Sequence, residues 1–258
     1  MTESHWSNWL LRVQWILLLL IVLAAAALRF GVLHFSVVFK IFVFSGGAAL
    51  VVALLSLFVF VWGVSKSKPL VRSNALWAAL LGLLPVAIPL VTVGQGNFDV
   101  PRIHDITTDT RNPPQYQEVL KLRQKGDNSA EYGGEKVAEL QREADIYADI
   151  MPLHVDFPIA RTTEIAAEVA EDLGWKVVSY EPQRGHLEAV AKTPILGFTD
   201  DIVVRVSADE GGGSKVDVRS SSRVGVSDLG TNAKRIRQFL EELHLHALVL
   251  EGTGTGRY

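Results

Sequence analysis

Hydrophobic and polar positions alternate in two different ways along this chain. Up to about residue 94 apolar side chains follow one another without a period; beyond it they recur at spacings of two, or of three and four. The longest unbroken run, Ile41 to Val64, reads IFVFSGGAALVVALLSLFVFVWGV and holds no ionisable side chain. A helix rising about 1.5 Å per residue needs roughly 20 such residues to cross a hydrocarbon core of about 30 Å. A helix in a water-soluble core would carry a polar stripe every 3.6 residues, and this run has none. It is therefore predicted to span a membrane. Val13 to Leu28 and Ala75 to Val93 repeat the pattern, so three spans are expected at about 10–28, 41–64 and 75–93. Trp9 and Trp15 suit the headgroup boundary of the first. A cleaved signal peptide competes there, because Ala24 to Ala27 resemble a small-residue cleavage site. The absence of Lys or Arg before Arg12, and the length of the run, favour a retained helix. Arg29, His34 and Lys40 mark a short link that includes Phe30 to Phe39, and Pro85 and Pro89 should kink the third span. In the second, Ser45, Ala49 and Ala53 recur every four residues, a face that lets another helix approach closely. That face serves either packing within the anchor or self-association.

The rest of the pattern predicts an α+β domain over residues 103–247, reached through a linker at 95–102 after the anchor of 1–94. Glu135 to Ala144 reads as a surface helix of mixed charge. Thr162 to Leu173 is a firmer one, with Ile165, Val169 and Leu173 four apart and Gly174 as a left-handed cap. Four strands follow, at Trp175–Tyr180, His186–Lys192, Asp201–Ser207 and Lys215–Ser221. Alternation puts Leu187, Ala189, Ala191, Ile202, Val204, Val206, Val216 and Val218 on one face of the last three. The other face receives His186, Glu188, Arg205, Lys215, Asp217 and Arg219, read either as a charged groove or, preferably, as a solvated surface. Asp209 to Gly213 suits a hairpin connection. Thr231 or Asn232 can cap a closing helix whose Ile236, Phe239, Leu240 and Leu243 form a stripe. Together these give a mainly antiparallel sheet with helices over its apolar face. Gly126 to Gly134 reads as a mobile loop and 248–258 as a flexible tail.

Composition narrows the function. The net charge of −3 over 258 residues argues against a nucleic-acid partner. With zero cysteines there are no disulfides, thiolate nucleophiles or cysteine-bound metals. No ionisable residue lies deep in a span, so an ion or proton path has nothing to run on. Arg12, Lys66, Lys68 and Arg72 fall on one side of three spans, Arg29 and Lys40 on the other. The excess of cations puts the amino terminus in the cytoplasm and the domain across the membrane.

Three segments carry a family resemblance: IHDITTDTRNPPQY (Ile103–Tyr116), YADIMPL (Tyr147–Leu153) and RSSSRVGVSDLGTNAKRIRQFLEEL (Arg219–Leu243). They resemble the domain-of-unknown-function 1499 family of bacterial envelopes and plastids. The resemblance implies a compact α+β domain, often tethered to a membrane. It brings no activity, ligand or catalytic residue. With the charge bias, it leads to a multi-pass protein of a bacterial inner membrane with a periplasmic domain.

Two constellations carry candidate chemistry. Asp105 and Asp109 lie in a turn-rich stretch, either an ordered loop or an acidic site. Arg219, Ser220, Ser222, Arg223, Asp228 and Asn232 lie where the last strand enters the last helix. They could hold a small anion, or Asp228 could pair with an arginine while the hydroxyls satisfy the turn. His244 and His246, two apart on a helix, point in different directions, so no metal or cofactor is expected. HExxH, P-loop, GxSxG and dinucleotide fingerprints are absent. The leading expectation is an anchored, non-catalytic domain that binds an envelope protein or small ligand, with the lipid bilayer as its other partner. A hydrolase or transferase using Asp105 or Asp109 with Arg219 or Arg223 is the second. An assembly factor acting through Ser45, Ala49 and Ala53 is the third.

Overall fold

The computed structural model describes residues 6–93 and 100–254, which form two compact units. Most of the expected linker and the last four residues lie outside the described residues.

The first unit is a bundle of three helices, α1 (Asn8–Arg29), α2 (Phe35–Ser65) and α3 (Pro69–Val93), each long and apolar enough to cross a membrane. Side-chain size sorts its two sides. Ser45, Ala49, Ala53 and Ser56 are buried along α2, whereas Phe44 and Phe58 are about three-quarters exposed, as lipid-facing side chains would be. Gly82 of α3 sits where an added Cβ would lie 2.6 Å from the Ala49 carbonyl oxygen and 2.7 Å from the Ala53 Cβ. Buried Gln14 of α1 donates from Nε2 to the Ala49 and Ala78 carbonyls, both at 3.0 Å, and so ties all three helices together. The small-residue face is thus occupied inside the anchor. Two boundaries move from those read in the sequence. α2 starts at Phe35, so the link is only Phe30 to His34. Lys40 does not end the helix, since a long cationic side chain can extend its charge toward the interface. α3 starts at Pro69, because proline is well suited to the first helical position.

The second unit carries a six-stranded antiparallel sheet, of β1 (Asp105–Thr107), β2 (Leu153–Val155), β3 (Lys176–Glu181), β4 (His186–Lys192), β5 (Thr199–Ala208) and β6 (Ser214–Ser222). Its order is β1-β6-β5-β4-β3, and β2 also pairs with β6. β1 faces Arg219 to Ser221 and β2 faces Ser214 to Val216, so two short strands share one edge of β6. Neither was expected, because three residues are too few to display alternation. Helix α4 (Gly134–Glu143) precedes β2, and α5 (Ile159–Asp172) and α6 (Thr231–Gly254) cover the apolar face. Ile165, Ala166 and Val169 of α5, with Ile236, Phe239 and Leu243 of α6, meet Leu187, Ile202, Val204 and Val218 there. Trp175 stacks on Phe239 at 5.0 Å between centroids. Gly185 is required before β4: its φ is +63°, and a Cβ would fall 2.0 Å from the Val206 carbonyl oxygen.

Three expectations are corrected. The polar face of the sheet is not solvated: Glu188, Asp217 and Arg219 are fully buried, because residues 109–130 lie across it. The loop at 126–134 is pinned, as Asn128 donates from Nδ2 to the Ser222 and Gly225 carbonyls and from its backbone to Arg223. α6 continues to Gly254, into the expected tail, since Ala247 and Leu250 prolong its apolar stripe onto the core.

Candidate functional site

Strand alternation decides which candidate residues can meet. Asp105 of β1 and Arg219 of β6 share the face turned away from α5 and α6. Arg219 donates from Nε to Asp105 Oδ1 at 2.9 Å and from Nη2 to Oδ2 at 2.7 Å, a two-pronged ion pair with both side chains buried. Its remaining N–H groups reach the Pro114 and Ala130 carbonyls. The guanidinium lies between the rings of Tyr116 and Tyr132, 4.6 and 5.4 Å from their centroids. Burial, with the Asp105 charge next, pushes the Tyr132 phenol up to about 12 and Tyr116 higher still.

A second pair lies on the same face. Arg223 donates to Asp201 through Nε and Nη2, the latter at 2.7 Å, while Nη1 reaches the Leu122 carbonyl. Arg123 approaches the same carboxylate from the covering segment, Nε to Oδ2 at 2.7 Å. Farther along, Arg205 bridges Asp109 at 3.0 Å and Asp217 at 2.8 Å. Glu188 accepts from three backbone N–H groups, of Gln117, Glu118 and Val119, and bonds His186. Burial alone would raise the Glu188 pKa, but those bonds outweigh it and hold it below the ordinary carboxylate range.

The opposite face holds a fourth cluster, at the start of α6. Arg235 donates to Asp200 at 2.5 Å and also bonds Ser220 and Asn232. Asn232 reaches Ser222 and the His104 carbonyl through Nδ2 and accepts from Ser220. It is therefore a crosslink between strand and helix and not the helix cap. The cap is Asp228, whose carboxylate accepts from the Gly230 and Asn232 N–H groups at 3.0 and 2.7 Å. Burial raises the pKa of Asp228, and that of Asp200 despite Arg235. His104, half-buried nearby, is lowered by burial against the pull of Asp105 and Asp228.

The sequence-predicted residues are thus distributed among four clusters. Asp105 and Arg219 come together, as do Ser222 and Asn232. Asp109 belongs with Arg205, Arg223 with Asp201, and Asp228 pairs with backbone and not with an arginine. The sequence reading missed Asp201, Asp200, Arg123, Arg235 and the two tyrosines. One signal was present: acids and arginines on the polar face are nearly balanced in number, which favours mutual pairing over a one-sided binding surface. Among the described residues no group of three His, Cys, Asp or Glu side chains is placed to hold a metal ion.

Three helices long and apolar enough to cross a membrane, with an α+β domain whose charged sheet face is covered and ion-paired, define the class of this protein. The chain belongs to the family described as Protein of unknown function (DUF1499), whose model matches residues 105–243, more than half of it. That match confirms the resemblance drawn from the three motifs, and spans all four side-chain clusters. No curated protein matches the chain.

Proposed function

We propose that this protein presents its domain on the periplasmic side of a bacterial inner membrane, where it binds a partner protein of the envelope and performs no chemistry of its own. The observation that carries this reading is the closure of the charged clusters: Asp105, Asp109, Arg219 and Arg223 each already hold a partner within the domain. A hydrolase using Asp105 would have to break a buried bidentate pair to free its acid. A small anion at Arg219 or Arg223 would have to displace a carboxylate. Assembly through Ser45, Ala49 and Ala53 would compete with α1 and α3 for the same face. What the domain does offer is Leu245, Leu248 and Val249, exposed at one-turn spacing on α6. The side of the membrane is supported by the cation bias of Lys66, Lys68 and Arg72, between α2 and the first turn of α3.

Photo-crosslinking residues placed at 245 and 248 of the full chain in intact cells test the binding surface. A discrete protein adduct is expected at both and not at exposed Lys234; no adduct at either overturns the reading. The absence of cysteine allows a single Gly211→Cys variant to report sidedness. Labelling by an impermeant maleimide without permeabilisation is expected, and labelling only after permeabilisation would place the domain in the cytoplasm.

A further inference from the structure

Where α1 begins and α2 ends, Trp6, Phe58, Val59 and Trp62 line a shallow groove of about 290 Å³ whose walls are almost wholly apolar. Trp6 meets Trp62 edge-on, with centroids 6.1 Å apart. Phe58 and Trp62 lie four residues apart on one face of α2, and Lys66 caps its carboxy terminus, its N–H reaching the Trp62 carbonyl at 3.0 Å. Read outward, that face passes from hydrocarbon to an amphipathic ring to a cation. The turn that follows gathers more charge. Ser67 adopts φ +51°, and the Lys68 N–H returns to the Gly63 carbonyl at 2.8 Å. Gly63 lets α3 approach closely: a Cβ there would lie 3.1 Å from the Arg72 backbone nitrogen. Lys66, Lys68 and Arg72 are exposed and have no ion-pair partner among the described residues. No acid lies between Phe58 and Arg72 to answer them.

We infer that this end of the bundle is a binding site for an anionic phospholipid. One acyl chain lies in the tryptophan-walled groove, and the headgroup phosphate is held by Lys66, Lys68 and Arg72. A phosphate free in solution would leave the groove unused, and a zwitterionic lipid would leave the excess positive charge unanswered. The profile along one helix face therefore selects a ligand with an apolar tail and a net negative head. The inference does not rest on the role proposed for the domain, nor on which leaflet contains the loop.

The test uses the full chain, delipidated in mild detergent and titrated with phosphatidylglycerol or phosphatidylcholine of identical acyl chains, with bound lipid counted by native mass spectrometry. Binding of phosphatidylglycerol is expected to be at least about tenfold tighter, taking about fivefold for each cation near an anionic headgroup. Lys66→Gln is expected to weaken it about fivefold, and the K66Q/K68Q/R72Q triple variant about a hundredfold. Trp62→Ala is expected to weaken both lipids together. Because the triple change can reorient the chain during insertion, Lys66→Gln is the decisive single variant. Lys40→Gln, near the opposite end of α2, is its control. Equal affinity for the two lipids, or equal losses from Lys66→Gln and Lys40→Gln, would overturn the assignment.

Discussion

Replacing Asp105 by asparagine keeps the shape of the side chain and one acceptor oxygen but removes its charge. Arg219 would then remain a cation in a fully buried site, compensated by that oxygen, the Pro114 and Ala130 carbonyls and two aromatic faces but by no counter-charge. Removing one partner of a buried ion pair typically costs about 3–5 kcal/mol. The retained amide oxygen argues for the lower end, about 3 kcal/mol. Small domains have about 5–15 kcal/mol in total, so the loss is large but leaves a folded protein. With a urea dependence of about 2 kcal/mol per molar, the midpoint should fall by roughly 1.5 M. Five of the six tryptophans precede residue 94, so whole-chain fluorescence mostly reports the anchor. Pulse proteolysis of the detergent-solubilised chain across a urea series reads the domain instead. The double variant Asp105→Leu/Arg219→Met removes both charges and leaves two carbonyls short of a donor, at about 1–3 kcal/mol each at most. It should therefore be more stable than Arg219→Met alone. A midpoint shift below about 0.5 M for Asp105→Asn would refute the reasoning. It would mean a carboxylate free enough to act on a substrate, and the hydrolase reading would regain its acid.

Three further predictions concern other contacts. Glu188 has a folded pKa held below its ordinary value, so its contribution is complete above the unfolded pKa of about 4.5 and is lost as pH falls through the depressed folded value. Glu188→Gln should lower stability by about 1–3 kcal/mol at pH 7 and flatten the acid limb of a urea-midpoint series; an unchanged limb would count against it. Asp228 has the opposite sign: burial raises its folded pKa, so this group gains stability as pH falls through that value. The Gly230 and Asn232 N–H groups bond different oxygens of Asp228, so Asp228→Asn keeps an acceptor for one of them and should lose less at pH 7 than Asp228→Ala, which should lose about 0.5–2 kcal/mol with the helix cap. Equal losses would show that the carboxylate itself is needed. In the bundle, Gly82→Val would drive a branched side chain against the Ala49 carbonyl and Ala53, at about 1–3 kcal/mol. Gln14→Leu should lose less, about 0.6 kcal/mol for each of its two interhelical hydrogen bonds. SDS titration of helicity ranks the two, and the reverse order would show that the bonds dominate the packing.

The elements that stood out in the sequence were those whose burial is one-sided or total. Lipid-facing helices lack any polar period, and β4, β5 and β6 alternate cleanly because one face meets α5 and α6. Alternation also placed Glu188, Arg205, Asp217 and Arg219 together correctly. It said nothing about their exposure, because a polar face covered by another polar segment has the same pattern as one facing water. The covering stretch from Asp109 to Ala130 has no period of its own. It is held by backbone carbonyls and N–H groups bonded to side chains far away in the chain, and such bonds leave no local signature. Asp228 and Asn232 illustrate the same limit at finer scale. Either residue type caps helices, and only the fold decides that Asp228 does so while Asn232 reaches back to Ser222.

β6 carries a further consequence, for how the domain is made. Strands β1, β2 and β5 all take it as their pairing partner, and Asp105 meets Arg219 across 114 positions of chain. A ribosome that has released only the first half of the domain has produced the acid without its counter-ion and two short strands without a ladder. Such distant closure makes for slow, late folding. The nascent domain therefore stays open and threadable until its penultimate element emerges, and it closes in one step around that single strand.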